Sequence, residues 1–211
     1  MSDGIYIIGA GGHAKVVIST LLAAGKKVAV VFDDDPSIWD LRILDVPVQG
    51  PIAVLNNLPQ KRAIMAIGNN EVRKRIVRQM LQVEWVSVIH PRAYVHASVV
   101  IGPGSVVFAG AIVQPTVVIG AHVIVNTSAS VDHDCFLEDY VHVCPGSHLA
   151  GGVIIKTGVM MGIGAVAIQE VEIGEGTIVG AGAVVIHNVP SHITVAGVPA
   201  RPCNQKQVLK V

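Results

Sequence analysis

Two stretches of this 211-residue chain gather side chains that can do chemistry. The first, Gly9-Ala10-Gly11-Gly12-His13-Ala14, fits the pattern Gly-x-Gly-x-x-Ala and is followed by paired acids at Asp33 and Asp34. Glycines let a backbone approach phosphate oxygens, and the helix N-terminus that follows favours negative charge. The spacing formally matches a dinucleotide fingerprint. The unit around it is too short for two mononucleotide halves, so one nucleotide is the better fit, and the same glycines could simply tighten a strand-to-helix turn. The second stretch is Asp132-His133-Asp134, an imidazole between two carboxylates. An imidazole titrating near pH ~6.5 is suited to accept a proton at neutral pH. With nine histidines in the chain, a solvated histidine on an outer face would show the same residue types.

The elements that must position these groups follow two different periods. Ile5–Ile8 reads as a buried strand, the glycine turn follows, and Ala14–Ala24 reads as a helix with Val17, Ile18, Leu21 and Leu22 on one side. Val28–Phe32 and Ala63–Ile67 read as further strands, and Asn70 as the N-cap of a helix carrying Val72, Ile76, Val77 and Met80. Strands alternating with helices predict a small parallel sheet. From Val95 to Val185 the period becomes six: Val95, Ile101, Val107, Val113 and Ile119 begin a series that runs on to Ile173, Val179 and Val185. Small or β-branched residues stand two positions before each, from Ala93 and Val99 to Ala183. A period of six is neither a helix nor a flat strand; it is a short extended segment and a turn, repeated. Two inward positions spaced by two fit strand alternation. Three hexads per coil would stack each inward residue on its counterpart 18 residues away. Gly102, Gly120, Gly162, Gly174 and Gly180, each just after an inward residue, are expected at corners that need permissive backbone.

Composition narrows the function classes. Net charge is zero and 14% of residues are charged, so no broad basic surface points to nucleic acid. Three cysteines without paired spacing, Cys135 on an inward position, read as reduced thiols of a cytoplasmic protein. No basic n-region precedes Gly4–Ile8 and no apolar run reaches the length of a span, so neither a signal peptide nor a membrane segment is expected. No metal is expected: only His187 and His192 are five apart, and they lie beyond the last hexad.

The hexads resemble the left-handed parallel β-helix of hexapeptide-repeat acyltransferases. Three further segments narrow the resemblance: Gly11-Gly12-His13-Ala14-Lys15-Val16-Val17, Ile67-Gly68-Asn69-Asn70, and Asn126-Thr127 followed by Val131, His133 and Asp134. Together with the closing Gly197-Val198-Pro199-Ala200-Arg201 they resemble the bacterial sialate and nucleotide-amino-sugar acetyltransferases. The resemblance implies a Rossmann-like α/β half-domain over residues 1–88 that binds a nucleotide sugar. A left-handed β-helix acyltransferase domain with a C-terminal cap would follow over 89–211. It implies acetyl-CoA as co-substrate and N-acetylation of a nucleotide-linked 4-amino-4,6-dideoxy sugar. O-acetylation of sialic acid or a CMP-sialic acid is the alternative, and a non-catalytic sugar-nucleotide sensor a more distant one.

By the same resemblance, Gly11, Gly12 and His13 approach the diphosphate, Asp33 or Asp34 accepts from the base, and Gly68, Asn69 and Asn70 form the opposite wall. His133 is the general base and Asp134 its orienting acid, with Asp132 as competitor. His142, between inward Val141 and Val143, points outward; the resemblance sets it near acetyl-CoA or the acetylated product, sets Asn126 near acetyl-CoA, and gives the Gly151 N–H to the thioester carbonyl. Ile163 and Gly180 fall where CoA runs along the coils. The implied assembly is a homotrimer with active sites at subunit interfaces, burying outer apolar positions such as Ile112, Val118, Ile124 and Met160.

Overall fold

The computed structural model describes residues 4–80 and 82–203; residues 1–3, 81 and 204–211, which include both outer ends of the expected domains, lie outside the described residues. The chain divides into two compact units between Pro91 and Arg92.

In the first unit, strands β1 (Ile5–Ile8), β2 (Val28–Phe32), β3 (Arg42–Ile43), β4 (Val46–Gln49), β5 (Arg62–Met65) and β6 (Glu84–Trp85) form one sheet in the order β3-β4-β2-β1-β5-β6. All neighbours are parallel except the β3–β4 hairpin, which the apolar pattern did not announce. Continuous apolar runs such as Ile5–Ile8 suit strands covered on both faces; Ile7, Ile8, Val31 and Ile64 are completely buried. Helix α1 (Gly12–Ala23) packs Ala14, Val17, Ile18 and Leu21 inward, while Leu22 is 52% exposed rather than on the buried side. Helix α2 (Asn70–Gln79) is capped by Asn69, not Asn70: the Asn69 Oδ1 accepts from the Val72 N–H at 3.0 Å. The chain leaves β1 towards β2 on one side and returns to β5 on the other. The carboxyl end of β1, where the glycine turn lies, is therefore a topological switch point, the usual ligand crevice of such sheets.

The second unit is a parallel β-helix. Two-residue strands pair with partners 18 residues away, as in Val107 with Val125, Val113 with Val131 and Ile119 with Leu137, and stack into three sheets. The inward residues from Val107 to Val185 form one buried column at 5% exposure or less. Inward hydroxyls are satisfied by backbone carbonyls: Ser105 donates to Gly120 O at 2.8 Å, Ser147 to Gly162 O at 2.7 Å and Thr177 to Pro190 O at 2.7 Å.

The corners correct one expectation. Positive φ occurs at Gly104, Gly110, Gly146, Gly152 and later counterparts, and at non-glycine corner residues including Thr116, His122 and Asp134, but not at Gly102, Gly120, Gly162, Gly174 or Gly180. Those five are glycine because coils approach closely: a Cβ on Gly102 would lie 2.5 Å from the Gly120 carbonyl carbon, and one on Gly162 would lie 2.6 Å from Val179 O. Among the described residues no helix is long and apolar enough to cross a membrane.

Candidate active site

In the first unit the glycine turn is tied to the end of β2. The Ala10 N–H donates to Asp33 Oδ2 at 2.7 Å and the Asp35 N–H to Asp33 Oδ1 at 3.0 Å, so Asp33 shapes the turn. Asp34 Oδ1 accepts from the Ile52 N–H at 2.8 Å. Gly9 serves the fold: its φ is +101° and a Cβ there would lie 2.5 Å from Ile67 Cγ1. Gly11 and Gly12 have no such reason, because a Cβ on either would meet nothing within 4 Å. Their bareness leaves the N-terminus of α1 open to close approach, which turn-tightening alone does not require.

The Ile67–Asn70 segment is organised by a residue that the sequence reading did not single out. Arg73, 1% exposed on α2, donates to Ile67 O at 3.0 Å, Gly68 O at 3.2 Å and Asn70 Oδ1 at 2.8 Å. It holds Gly68 and Asn70 from beneath, while Asn69 is engaged as the helix cap. Burial, reinforced by the Arg73 charge, pushes His13 down to about 4. His13 is therefore neutral at neutral pH in the free chain, a hydrogen-bonding ring rather than a cation.

In the second unit His133 and Asp134 occupy a corner turn, Asp134 with φ +61°, which lets neighbouring side chains converge where a strand would point them apart. His133 Nδ1 lies 2.7 Å from Asp134 Oδ2, both side chains more than half exposed. Asp132 does a different job: its Oδ1 accepts from the His133 backbone N–H at 2.8 Å. Chiefly through the Asp134 hydrogen bond, His133 is held above its ordinary value. Asp134 is held below the usual carboxylate range, first by a hydrogen bond from Thr116 at 2.6 Å and then by His133. With Nδ1 facing the carboxylate, Nε2 is the nitrogen free to take a proton. Beneath the ring lies Gly151, where a Cβ would fall 2.5 Å from His133 Cε1. Next in sequence, Cys135 is buried, which pushes its thiol up to about 11 and leaves little thiolate at neutral pH.

Asn126 and His142 come together elsewhere. Asn126 Oδ1 accepts from the Thr127 N–H at 2.8 Å, which orients its amide nitrogen towards His142 Nε2 at 3.1 Å. His142 faces outward from the coil as expected, yet it is only 8% exposed, and Asn126 9%. The same sheet face buries Val106 and Ile124, so Ile124 is not available to an outer interface, whereas Ile112 is 41% exposed. The hexad period cannot distinguish a covered outward face from a bare one. Ile163, 63% exposed, and Gly180 stand on the corner that also carries Asn126; Gly146 N to Thr127 O, Gly164 N to Pro145 O and Gly182 N to Ile163 O run along it. His133 and Gly151 occupy the next corner. One chain therefore does not bring its two groups of expected site residues together: a full sheet face separates them. Among the described residues no group of three or more His, Cys, Asp or Glu is placed to hold a metal ion.

Comparison with known proteins agrees with this architecture. Residues 4–80 match the family described as the PglD N-terminal domain. A GDP-perosamine N-acetyltransferase of Escherichia coli is 32% identical over 213 residues, covering 92% of this chain and 94% of that one. A solved structure of a histidine-to-asparagine mutant of perosamine N-acetyltransferase from Caulobacter crescentus, in complex with CoA and GDP-perosamine, is 41% identical. It covers 97% of this chain and 99% of that one at a TM-score of 0.92. The acetyltransferase domain of PglB from Neisseria gonorrhoeae is 39% identical and covers 96% of this chain and 100% of that one at 0.90. Some further matches are partial: the chain spans 20% of an uncharacterised protein of Acanthamoeba polyphaga mimivirus and 17% of an Escherichia coli serine acetyltransferase. Full-length similarity, the glycine turn and the hexapeptide coil together establish that this chain belongs to the nucleotide-amino-sugar N-acetyltransferase family.

Proposed function

We propose that the protein transfers the acetyl group of acetyl-CoA to the 4-amino group of a nucleotide-linked 4-amino-4,6-dideoxy sugar, with GDP-perosamine as the first substrate to test. The observation that carries the chemistry is the 2.7 Å contact between His133 Nδ1 and Asp134 Oδ2 on an open corner. The amine nitrogen attacks the thioester carbonyl carbon and its proton passes to His133 Nε2. The C–S bond then breaks, and the imidazolium returns the proton to the departing CoA thiolate. Asp134 keeps the ring in the productive tautomer and stabilises its charged form. The Gly151 N–H is a candidate donor to the carbonyl oxygen as charge develops there.

The glycine turn with its open Gly11 and Gly12 supports diphosphate binding by the first unit. Asp33, with both oxygens already engaged by backbone, supports a shaping role, which leaves Asp34 Oδ2 to meet the base. Asn126, His142, Ile163 and Gly180 would serve acetyl-CoA. Because that edge and the His133 edge lie one sheet face apart, a site using both is assembled from two copies. This supports a homotrimer with three interfacial sites, closed by exposed apolar residues such as Ile112, Val100 and Phe136. A cytoplasmic location fits both proposed substrates and the reduced cysteines.

The test is a panel of GDP-, UDP- and dTDP-linked 4-amino sugars with acetyl-CoA, followed by release of free thiol. Turnover of a 4-amino sugar nucleotide, fastest with GDP-perosamine, is expected. Acetylation of free or CMP-linked sialic acid with no turnover of any 4-amino sugar would overturn the proposal.

A further inference from the structure

We propose that Thr116 is a positioning residue of this site, its hydroxyl fixing the Asp134 carboxylate in the orientation that serves His133. The proposal rests on the reading of His133 as general base. Thr116 precedes Asp134 by 18 residues and therefore occupies the same corner one coil earlier. Its φ is +65°. A β-branched side chain is poorly suited to that left-handed conformation. Equivalent corner turns use glycine at Gly104, Gly110, Gly146 and Gly152, or unbranched residues such as His122, Ser128 and Tyr140. Backbone geometry alone would favour glycine at 116 as well; what threonine adds is the hydroxyl.

That hydroxyl is committed. Thr116 Oγ1 donates to Asp134 Oδ1 at 2.6 Å, while the Asp134 N–H reaches Thr116 Oγ1 at 3.3 Å. The other carboxylate oxygen, Oδ2, takes His133 Nδ1 at 2.7 Å. Two partners on two oxygens fix the plane of the carboxylate. Pro115 O, 2.5 Å from Thr116 Oγ1, competes for the same hydrogen, but a charged acceptor makes the stronger bond. Thr116 is itself pinned by the coil before it: its N–H donates to Ser98 Oγ at 2.8 Å, and Ser98 Oγ lies 2.9 Å from His96 Nδ1. The charged groups facing His133 are Asp132 and Asp134 on its own turn; the turns on either side present Thr116 and Gly151, which do not titrate. The Thr116 hydrogen bond is the leading cause of the lowered Asp134, and Asp134 the leading cause of the raised His133. Loss of the hydroxyl should therefore reach the imidazole through the carboxylate.

The experiment compares Thr116→Val, Thr116→Ser and Thr116→Gly with the intact protein. It measures the His133 titration by NMR without substrates, and kcat, both KM values and Tm. In Thr116→Val the His133 pKa should fall towards the ordinary imidazole value, kcat should drop roughly tenfold, and both KM values should stay put. The acidic limb of the rate profile should move to lower pH. Thr116→Ser should restore both readouts. Thr116→Gly, which relieves the corner conformation, should keep or raise Tm yet lose turnover like the valine variant; a purely structural threonine would lose Tm and spare the His133 titration. An unchanged His133 titration in both Thr116→Val and Thr116→Gly overturns the proposal, whatever happens to kcat. Full activity in His133→Asn would instead overturn the reading of the base, and the NMR titration would still decide whether Thr116 governs Asp134.

Discussion

Gly151→Ala is a substitution whose cost can be worked from distances. The new Cβ would lie 2.5 Å from His133 Cε1, 2.7 Å from Nε2 and 3.1 Å from Nδ1. Ordinary contact begins near ~3.5 Å, so the ring must retreat by about 1 Å. It has somewhere to go, because its side chain is 61% exposed. The retreat stretches or breaks the 2.7 Å contact with Asp134 and moves Nε2 away from the amine it must deprotonate. A displacement of that size costs roughly a hundredfold in rate. Gly151 does not have positive φ, so alanine fits the backbone and Tm should hardly change. The backbone N–H survives in alanine, so an oxyanion donor at this position would be retained and the loss would isolate the ring. The assay is steady-state thiol release with both substrates varied: kcat should fall roughly a hundredfold with both KM values nearly unchanged. A kcat within about threefold of the parent, well short of that loss, would refute the claim that Gly151 is bare to make room for the general base.

Two further outcomes follow from the same structure. His13 sits at about 4 when folded, below its value of 6.5 when unfolded, so the unfolded chain binds the extra proton between those pH values. Stability from this group is full above pH ~6.5 and is lost as pH falls towards 4, by at most about 3 kcal/mol; denaturant titrations of His13→Gln across that window should show a flatter acid limb. For the assembly, mixing His133→Asn with Asn126→Ala and allowing subunits to reassort should recover activity from two weak parents, up to about a quarter of the parental sites if mixing is random. No recovery in mixed trimers would place both edges of a working site on one chain.

How much of this could be read from residues alone depended on whether period or contact carried the information. Inward positions such as Val125 and Leu137 were legible because burial repeats every six residues. Gly102 and Gly162 stand at close approaches of the coils and not at strained turns, a difference that a sequence pattern cannot show. Ile124 and His142 look like any other outward positions, and their burial depends on packing that periodicity does not encode. Thr116 was reachable in principle, because subtracting 18 from Asp134 lands on it. Arg73 was not, because one arginine among several on a polar helix gives no sign that it turns inward to bind three carbonyl oxygens. The convergence of His133 and Asp134 required the left-handed turn at Asp134, which a non-glycine residue does not advertise.

The most direct test of the central claim is the turnover of His133→Asn against the parent protein, with acetyl-CoA and GDP-perosamine, from pH 6 to 9. The account predicts a loss of about 10² to 10⁴ at pH 7 with both KM values nearly unchanged, as expected when a general base alone is removed. It also predicts partial recovery towards high pH, where the amine arrives already deprotonated. Near-parental turnover of His133→Asn at pH 7 would contradict the account, because the proton would then leave by a route that does not involve His133.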